Sequence, residues 1–285
     1  MKTESIKTIG FFYRADNNAA PGWESKIKTW VQKRHPAVKL VARNPDALIV
    51  LGGDGTILEA VRAYEKTSAG RRTIIFGLNL GLVGFLASAR EPDRFFPALD
   101  KLLSGEYAVV ERMMLNAAVY RGGKKVFTSN SLNEFSIQSI LGMVELAVHI
   151  ERHPVQLIRG SGVLVATATG STAYNLSAHG PIVMPDIKCM VVTEIMDHNM
   201  PTPSIVVKYT RRIELVVKSF RKRGLFLVKK NKKDVDVVLA GDGENIFPLA
   251  ERDRVVVTAS PRLARFAEVE RNYFFKSLEE KFSFR

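Results

Sequence analysis

Three apolar strands in this chain each run into a glycine-rich turn, and one of those turns holds an acid. Asp46-Ala47-Leu48-Ile49-Val50 leads into Leu51-Gly52-Gly53-Asp54-Gly55-Thr56. Thr73 to Phe76 leads into Gly77-Leu78-Asn79-Leu80-Gly81-Leu82-Val83-Gly84. Gly162 to Ala166 leads into Thr167-Ala168-Thr169-Gly170-Ser171-Thr172-Ala173-Tyr174. A strand that ends in glycines and opens a helix leaves backbone N–H groups free to face an anion. Three such turns imply a ligand with several phosphates, and an acid among them implies phosphoryl transfer. The lysine of a Walker A loop is missing, so this is not a P-loop chain.

The turns sit in two textures. Up to about Glu106, strands alternate with helices: a strand over Ile6–Tyr13, a helical face of Trp23, Ile27, Trp30 and Val31, and short apolar runs at Val38–Ala42 and Ala47–Leu51. A helix over Ile57–Tyr64, a strand over Thr73–Phe76 and a helix from Glu91 to Leu103 follow. Alternation of this kind predicts an α/β, Rossmann-like domain with a mostly parallel sheet. Beyond Glu106 the chain is β-rich. Strand-like runs occur at Ala108–Val110, Leu115–Tyr120, Lys125–Thr128, Glu145–Ile150, Val163–Ala166, Ile205–Val207, Ile213–Val217, Leu225–Val228, Val235–Leu239 and Arg254–Thr258, with a hairpin signal at Arg121-Gly122-Gly123-Lys124. An amphipathic helix over Asn272–Phe282 closes the sequence. The expected division is an α/β domain over 1–106, a β-rich α+β domain over 107–262, and a C-terminal segment, 263–285, packing back on the first domain.

Each polar motif has a bland reading beside the chemical one. Asp54 in a tight strand-to-helix turn is what a helix cap looks like. Its flanking glycines leave room for a phosphate, which a cap does not need. As a base, Asp54 would orient a sugar hydroxyl and accept its proton as that oxygen attacks phosphorus. Asn133-Glu134 pairs an amide with a carboxylate, a set able to read purine or ribose groups, although a surface turn has the same composition. Gly170 to Ser177 places the Ser171 and Thr172 hydroxyls at a helix start, with Tyr174 offering a ring and a hydroxyl. The five histidines are scattered, and no metal site follows from their spacing.

Taken in order, Gly52-Gly53-Asp54-Gly55-Thr56, Asn79 to Leu86, Leu132-Asn133-Glu134 and Thr169 to Ala178 resemble the NAD kinase family. The Gly-Gly-Asp-Gly element is shared with diacylglycerol, sphingosine and phosphofructokinase-type kinases. The Thr-Gly-Ser-Thr-Ala-Tyr segment with Asn-Glu is more specific. The resemblance implies phosphorylation of the 2′-hydroxyl of the adenosine ribose of NAD to give NADP, from ATP or another donor such as polyphosphate, with Mg²⁺ carried by the donor phosphates. By motif, Asp54 would be the catalytic acid. Gly55, Phe85, Asn133, Glu134, Arg159, Ser161, Thr172, Ala173, Tyr174, Asn175, Ser177 and Glu244 would line the dinucleotide site. Gly52, Gly53, Thr56, Asn79 and Gly81 would meet phosphates. A homodimer or homotetramer is implied, its NAD site borrowing residues from a neighbouring subunit.

This chain departs from the family pattern in several places. Ser161 in Arg159-Gly160-Ser161-Gly162 stands where aspartate is usual, Ala168 where proline is, His179 where glycine is, and Glu244 where glutamine is common. A hydroxyl in place of a carboxylate loses a charge-assisted bond, roughly 1 kcal/mol more than a neutral one. Two other readings compete: a lipid or sugar kinase of the same superfamily, and a non-catalytic NAD(P)-binding regulator.

Composition narrows the setting. A single cysteine, Cys189, fits a reducing cytoplasm, and the N-terminus lacks the apolar stretch of a signal peptide. No apolar run reaches the roughly 20 residues that span a bilayer, so no membrane is expected. The net charge of +13, concentrated at Arg211-Arg212, Lys218–Arg223 and Lys229–Lys233, suits polyanions such as nucleotides. No recognition-helix, zinc or ribonucleoprotein pattern accompanies it, and nucleic acid is not an expected partner.

Overall fold

The computed structural model describes residues 4–65, 67, 72–81, 84–197, 202–222, 227–228, 233–270 and 273–282. Two compact units emerge: Met1–Arg112 with Arg262–Arg285, and Met113–Pro261.

The first unit begins with β1 (Thr8–Phe12), α1 (Ala20–Arg34), β2 (Lys39–Leu40), β3 (Ala47–Leu51), α2 (Asp54–Glu65), β4 (Ile74–Leu78) and α3 (Phe95–Leu103). Its strands pair in parallel in the order β2-β1-β3-β4. β3 and β4 are buried at every residue, the pattern of strands covered on both faces. Asn17 accepts from the Ala19 and Ala20 N–H groups at the head of α1, and Ile27 and Val31 turn its apolar stripe inward. The core gathers Ile9, Ile27, Ile49, Phe76, Phe95 and Leu99. The order reverses between β1 and β3, and the carboxyl ends of β3 and β4 carry the two N-terminal glycine turns. In open α/β sheets that edge is where ligands bind.

The second unit is antiparallel. It holds most of β5 (Ala108–Arg121), then β6 (Lys124–Ser131), β7 (Glu134–Ser139), β8 (Val144–Ile150), β9 (His153–Thr167), α4 (Tyr174–Ser177), β10 (Cys189–Asp197), β11 (Ile205–Lys208) and β12 (Ile213–Phe220). A two-stranded ribbon, β13 (Leu227–Val228) with β14 (Lys233–Asp234), precedes β15 (Val237–Gly241), β16 (Glu244–Pro248) and β17 (Arg254–Glu268). β9 lies between β7 and β8 and also pairs β10. Along β9, Val163 and Val165 face one core with Phe135, Leu146 and Leu239, while Leu164 and Ala166 face a second with Val191 and Ile195. That alternation is the two-residue period of a strand buried on both sides.

β17 continues into the first unit, where Phe266 pairs Ile75 in parallel and α5 (Tyr273–Phe282) follows. Several expected elements differ. Ala108–Val110 and Leu115–Tyr120 are one strand, β5, and Val163–Ala166 is the end of the longer β9. The strand expected to stop at Thr258 runs on to Glu268 through the exposed Pro261. Residues 223, 225–226, 229–232 and 272 of the expected elements and basic runs lie outside the described residues, as do residues 82 and 83.

Candidate active site

β3 delivers the chain to Gly52, whose N–H donates to Leu78 O at 3.0 Å, tying the turn to the neighbouring strand. Gly53 supplies the carbonyl that accepts from Thr56 and Ile57, which starts α2. Thr56 is buried and Gly55 exposed. Asp54 stands in the first turn of α2, where a negative charge suits the helix dipole. Its side chain does not cap the helix. Oδ2 accepts from Phe85 N–H at 2.8 Å and Oδ1 from Leu86 N–H at 3.2 Å. The carboxylate is thereby aimed by a segment 31 residues on. Gly84 makes this possible, because a Cβ there would lie 2.1 Å from Asp54 Oδ1.

Asn79 and Gly81 close a small turn of their own: Asn79 Nδ2 donates to Gly81 O at 3.1 Å, and Gly81 N–H returns to Asn79 Oδ1 at 3.2 Å. Phe85 is buried, its ring tilted at 47° to that of Phe274 with centroids 5.9 Å apart, and the Lys281 ammonium lies 4.9 Å from it. Gly52, Gly53, Asp54, Thr56, Asn79, Gly81 and Phe85 therefore belong to one neighbourhood of the first unit. A separate hollow of about 190 Å³ lies under α5, lined by Arg90, Arg94, Lys101, Tyr273, Lys276 and Glu280; Asp54 is not among its walls.

The second unit holds the other polar constellation. Asp242, at the β15–β16 hairpin, accepts from Ser131 Oγ at 2.5 Å and from the N–H groups of Leu132 at 3.0 Å, Asn133 at 2.8 Å and Glu134 at 3.4 Å. One carboxylate thus pins the turn that presents Asn133 and Glu134. Both are buried, and both leave an acceptor, Asn133 Oδ1 and Glu134 Oε2, without a hydrogen-bond partner. Burial, with the Asp242 charge adding, pushes the Glu134 carboxyl up to about 8, and the Tyr174 N–H partly offsets this. Gly170 lies against the same turn; a Cβ there would meet Asn133 O at 2.2 Å.

The Thr169–Ser177 segment is more self-contained than its composition implies. Ser171 Oγ donates to Ala168 O at 2.7 Å and accepts from Val183 N–H at 3.0 Å, and Thr172 Oγ1 donates to Thr169 O at 3.3 Å. These hydroxyls fold back on the backbone, and the expected helix is a single turn, α4. Asn175 is fully buried, its amide bonded to Ser171 O and Pro181 O and accepting from Thr193. Ala173, Tyr174 and Ser177 are at least partly exposed, and Tyr174 Oη donates to Gln138 Oε1 at 3.3 Å. Arg159 is exposed on β9 and pairs with Glu145 at 2.7 Å; Ser161, half-buried, follows on the same face. Glu244 is exposed at the Asp242-Gly243 turn. Asp242 itself is the residue whose role sequence reasoning missed. Its signal was the Asp-Gly pair between apolar runs, with both residues at positive φ of 50° and 71°.

Among the described residues no group of three or more His, Cys, Asp or Glu side chains converges on a metal site, and no helix is long and apolar enough to cross a membrane.

The two halves match different family models. The ATP-NAD kinase N-terminal domain model covers residues 4–107, and the ATP-NAD kinase C-terminal domain model covers residues 132–269. The NAD kinase of Geobacter metallireducens is 31% identical over 295 residues, spanning 97% of this chain and 98% of that protein. The NAD kinase of Lachnospira eligens is 32% identical over 246 residues, spanning 86% and 82%. The fold is that of yeast NADH kinase crystallised with NADH, with a TM-score of 0.85, 18% identity and coverage of 99% of this chain and 89% of that one. It is also that of an NAD kinase from Archaeoglobus fulgidus in complex with ATP, with a TM-score of 0.73, 23% identity and coverage of 96% and 98%. The chain belongs to the NAD kinase family and is a kinase.

Proposed function

We propose that this kinase transfers a phosphoryl group from ATP to the 2′-hydroxyl of the adenosine ribose of NAD, giving NADP. The observation that carries the reading is the pair of buried, unpartnered side-chain oxygens on one pinned turn, Asn133 Oδ1 and Glu134 Oε2. Buried polar atoms of this kind are costly unless a ligand pairs with them. An adenosine brings an amino group that donates and hydroxyls that donate or accept, which suits an amide oxygen beside a carboxyl held neutral up to about 8. Tyr174 and Ala173, partly exposed beside Glu134, are suited to packing on the nucleoside; Asn175, Ser171 and Thr172 serve to hold the turn.

Asp54 is assigned the proton. Oδ1 and Oδ2 each hold one backbone N–H, which fixes the carboxylate while leaving acceptor capacity for a hydroxyl. As the 2′-oxygen attacks the γ-phosphorus, its proton passes to Asp54, the new P–O bond forms and ADP leaves. The Gly52 and Gly81 N–H groups are engaged within the protein, so the glycine turns suit the donor phosphates by the room they leave for close approach and by the start of α2. Mg²⁺, when bound with the triphosphate, would neutralise developing charge. Asp54 is the one acid in the glycine turns and is assigned the proton, so the ligands to such an ion would be phosphate oxygens and water. We also assign the chain to the cytoplasm, on its single buried cysteine, and to a homo-oligomer.

The reading is tested by steady-state kinetics of Asn133→Ala and Glu134→Gln. Each is expected to raise KM for NAD about ten-fold while changing KM for ATP less than about two-fold. An unchanged KM for NAD in both would remove this turn from the adenosine site.

A further inference from the structure

We infer that Phe274, on α5, is a positioning residue for Asp54 that acts through Phe85; the inference rests on the reading of Asp54 as the base. The contacts form a short chain. Asp54 Oδ2 accepts from Phe85 N–H at 2.8 Å. The Phe85 ring in turn meets two groups of α5: the Phe274 ring, with centroids 5.9 Å apart, and the Lys281 ammonium, 4.9 Å away. Phe85 is 5% exposed, so its side chain is hemmed in by close-packed neighbours. What constrains that ring also constrains the N–H that aims the carboxylate.

The spacing of residues along α5 explains how the helix reaches this point. Tyr273, Ser277 and Glu280 stand at i, i+4 and i+7, which makes one stripe of a helix. All three hold Arg90. The guanidinium donates to Tyr273 O at 3.2 Å, to Ser277 Oγ and to Glu280, and it lies 4.3 Å from the Tyr273 ring. Phe274 and Lys281, each one residue further on, make the neighbouring stripe and meet Phe85. Arg90 and Phe85 belong to one short segment, so the helix grips that segment at both ends. Between them, Ser88 N–H donates to Gly77 O at 2.7 Å and Ser88 Oγ to Ala267 O at 2.8 Å. The segment is thereby fixed to β4 and β17.

α5 has 10 residues, too few to be a stable helix in water by itself. Its docking depends on these side chains. Arg90 sets where the helix lies, and Phe274 carries that placement to the Phe85 ring. A misplacement of about 1 Å at a reacting group costs on the order of a hundred-fold in rate, so a ring behind the carboxylate matters to turnover without touching substrate.

The competing role is purely structural: Phe274, half-buried, would only cover the apolar interior of the first unit. Either role lets Phe274→Ala lower Tm and turnover. The two diverge once the carboxylate is gone. A residue that acts through Asp54 then has nothing left to position, whereas a residue that merely packs costs the same factor in both backgrounds.

The experiment measures kcat, both KM values and Tm for Phe274→Ala, Phe274→Leu, Asp54→Asn and the Asp54→Asn/Phe274→Ala double variant, in the full chain and well below each Tm. Single turnovers with enzyme in excess read the slow variants. Phe274→Ala is expected to lose about ten-fold in kcat with both KM values within about three-fold, and Phe274→Leu, which keeps most of the bulk, to recover most of that loss. In the Asp54→Asn background the same Phe274→Ala change is expected to cost less than about two-fold. Equal losses in the two backgrounds overturn the inference, as does wild-type kcat in Phe274→Ala. If Phe274→Ala does not fold, Phe274→Val takes its place in the same cycle. Normal turnover by Asp54→Asn would sink the reading of Asp54 instead, which separates the two failures.

Discussion

Glu134 and Asp54 are both acids in tight turns, yet their surroundings prepare them differently. Asp54 receives two backbone N–H groups and remains half-exposed. Glu134 is buried beside Asp242, and its carboxyl titrates at about 8 instead of 4.5. Such a shift is a statement about stability. The unfolded chain ionises Glu134 as pH rises past 4.5, while the folded chain resists until about 8. The group's contribution is therefore whole below pH 4.5 and is lost progressively as pH climbs through 8. Glu134→Gln stays neutral throughout. Thermal melts of the ligand-free protein should show the variant gaining on wild type between pH 5 and pH 8, by up to a few kcal/mol. A constant difference across that range would mean that Glu134 is ordinary in the folded state.

At the scale of elements, the site is made by turns that hold one another. α2 begins with Asp54, but the 84–86 segment decides where its carboxylate points. Gly84→Ala would thrust a methyl group to 2.1 Å from Asp54 Oδ1 and force the acid off both N–H groups. We expect kcat to fall by about ten- to a hundred-fold with Tm changed by only a few degrees, since the damage is to positioning. Turnover within about two-fold of wild type would mean that this clasp is not needed. Much of this was legible in sequence. Ala47–Leu51 announced itself as a buried strand, and Gly52 to Thr56 as the turn after it. Asp242 was not, because its bonds to Leu132 and Asn133 join residues about 110 apart, and no local pattern records such a contact. The local structure at Ser171 and Thr172 differs from expectation for the opposite reason. Their hydroxyls look like helix caps in sequence, but a 3₁₀ turn lets them bond the carbonyl three residues back. β5 was broken in expectation at Glu111-Arg112-Met113-Met114, since charged residues interrupt an apolar run. The strand continues because Arg112 finds Glu268.

The whole molecule joins an α/β unit carrying the acid to a β-rich unit carrying the unpartnered acceptors. Each has its own core, so each can keep its turns rigid independently of the other. On β9, Val155 and Leu157 are 43% and 49% exposed, and Arg159 and Ser161 continue that face. Leu141 and Met143, just before β8, are exposed by about half as well, at 51% and 52%. These exposed apolar side chains are where we propose that a second copy of the chain docks. Leu157→Glu should lower the mass measured by light scattering in line with gel filtration, without lowering Tm in the dilute protein by more than a few degrees. An unchanged mass would leave self-association to another face. If the assembly lends residues across subunits, the same variant also weakens NAD affinity.

The most direct measurement is NADP formation from NAD and Mg-ATP by purified protein, read through an NADP-specific dehydrogenase, with Asp54→Asn measured beside it. The account predicts NADP from the wild type and a loss of at least about a thousand-fold in kcat for the variant, with NAD affinity kept within a few-fold. NADP formed at similar rates by both proteins would contradict Asp54 as the base. No NADP from folded wild-type protein that binds NAD would contradict the proposed reaction itself.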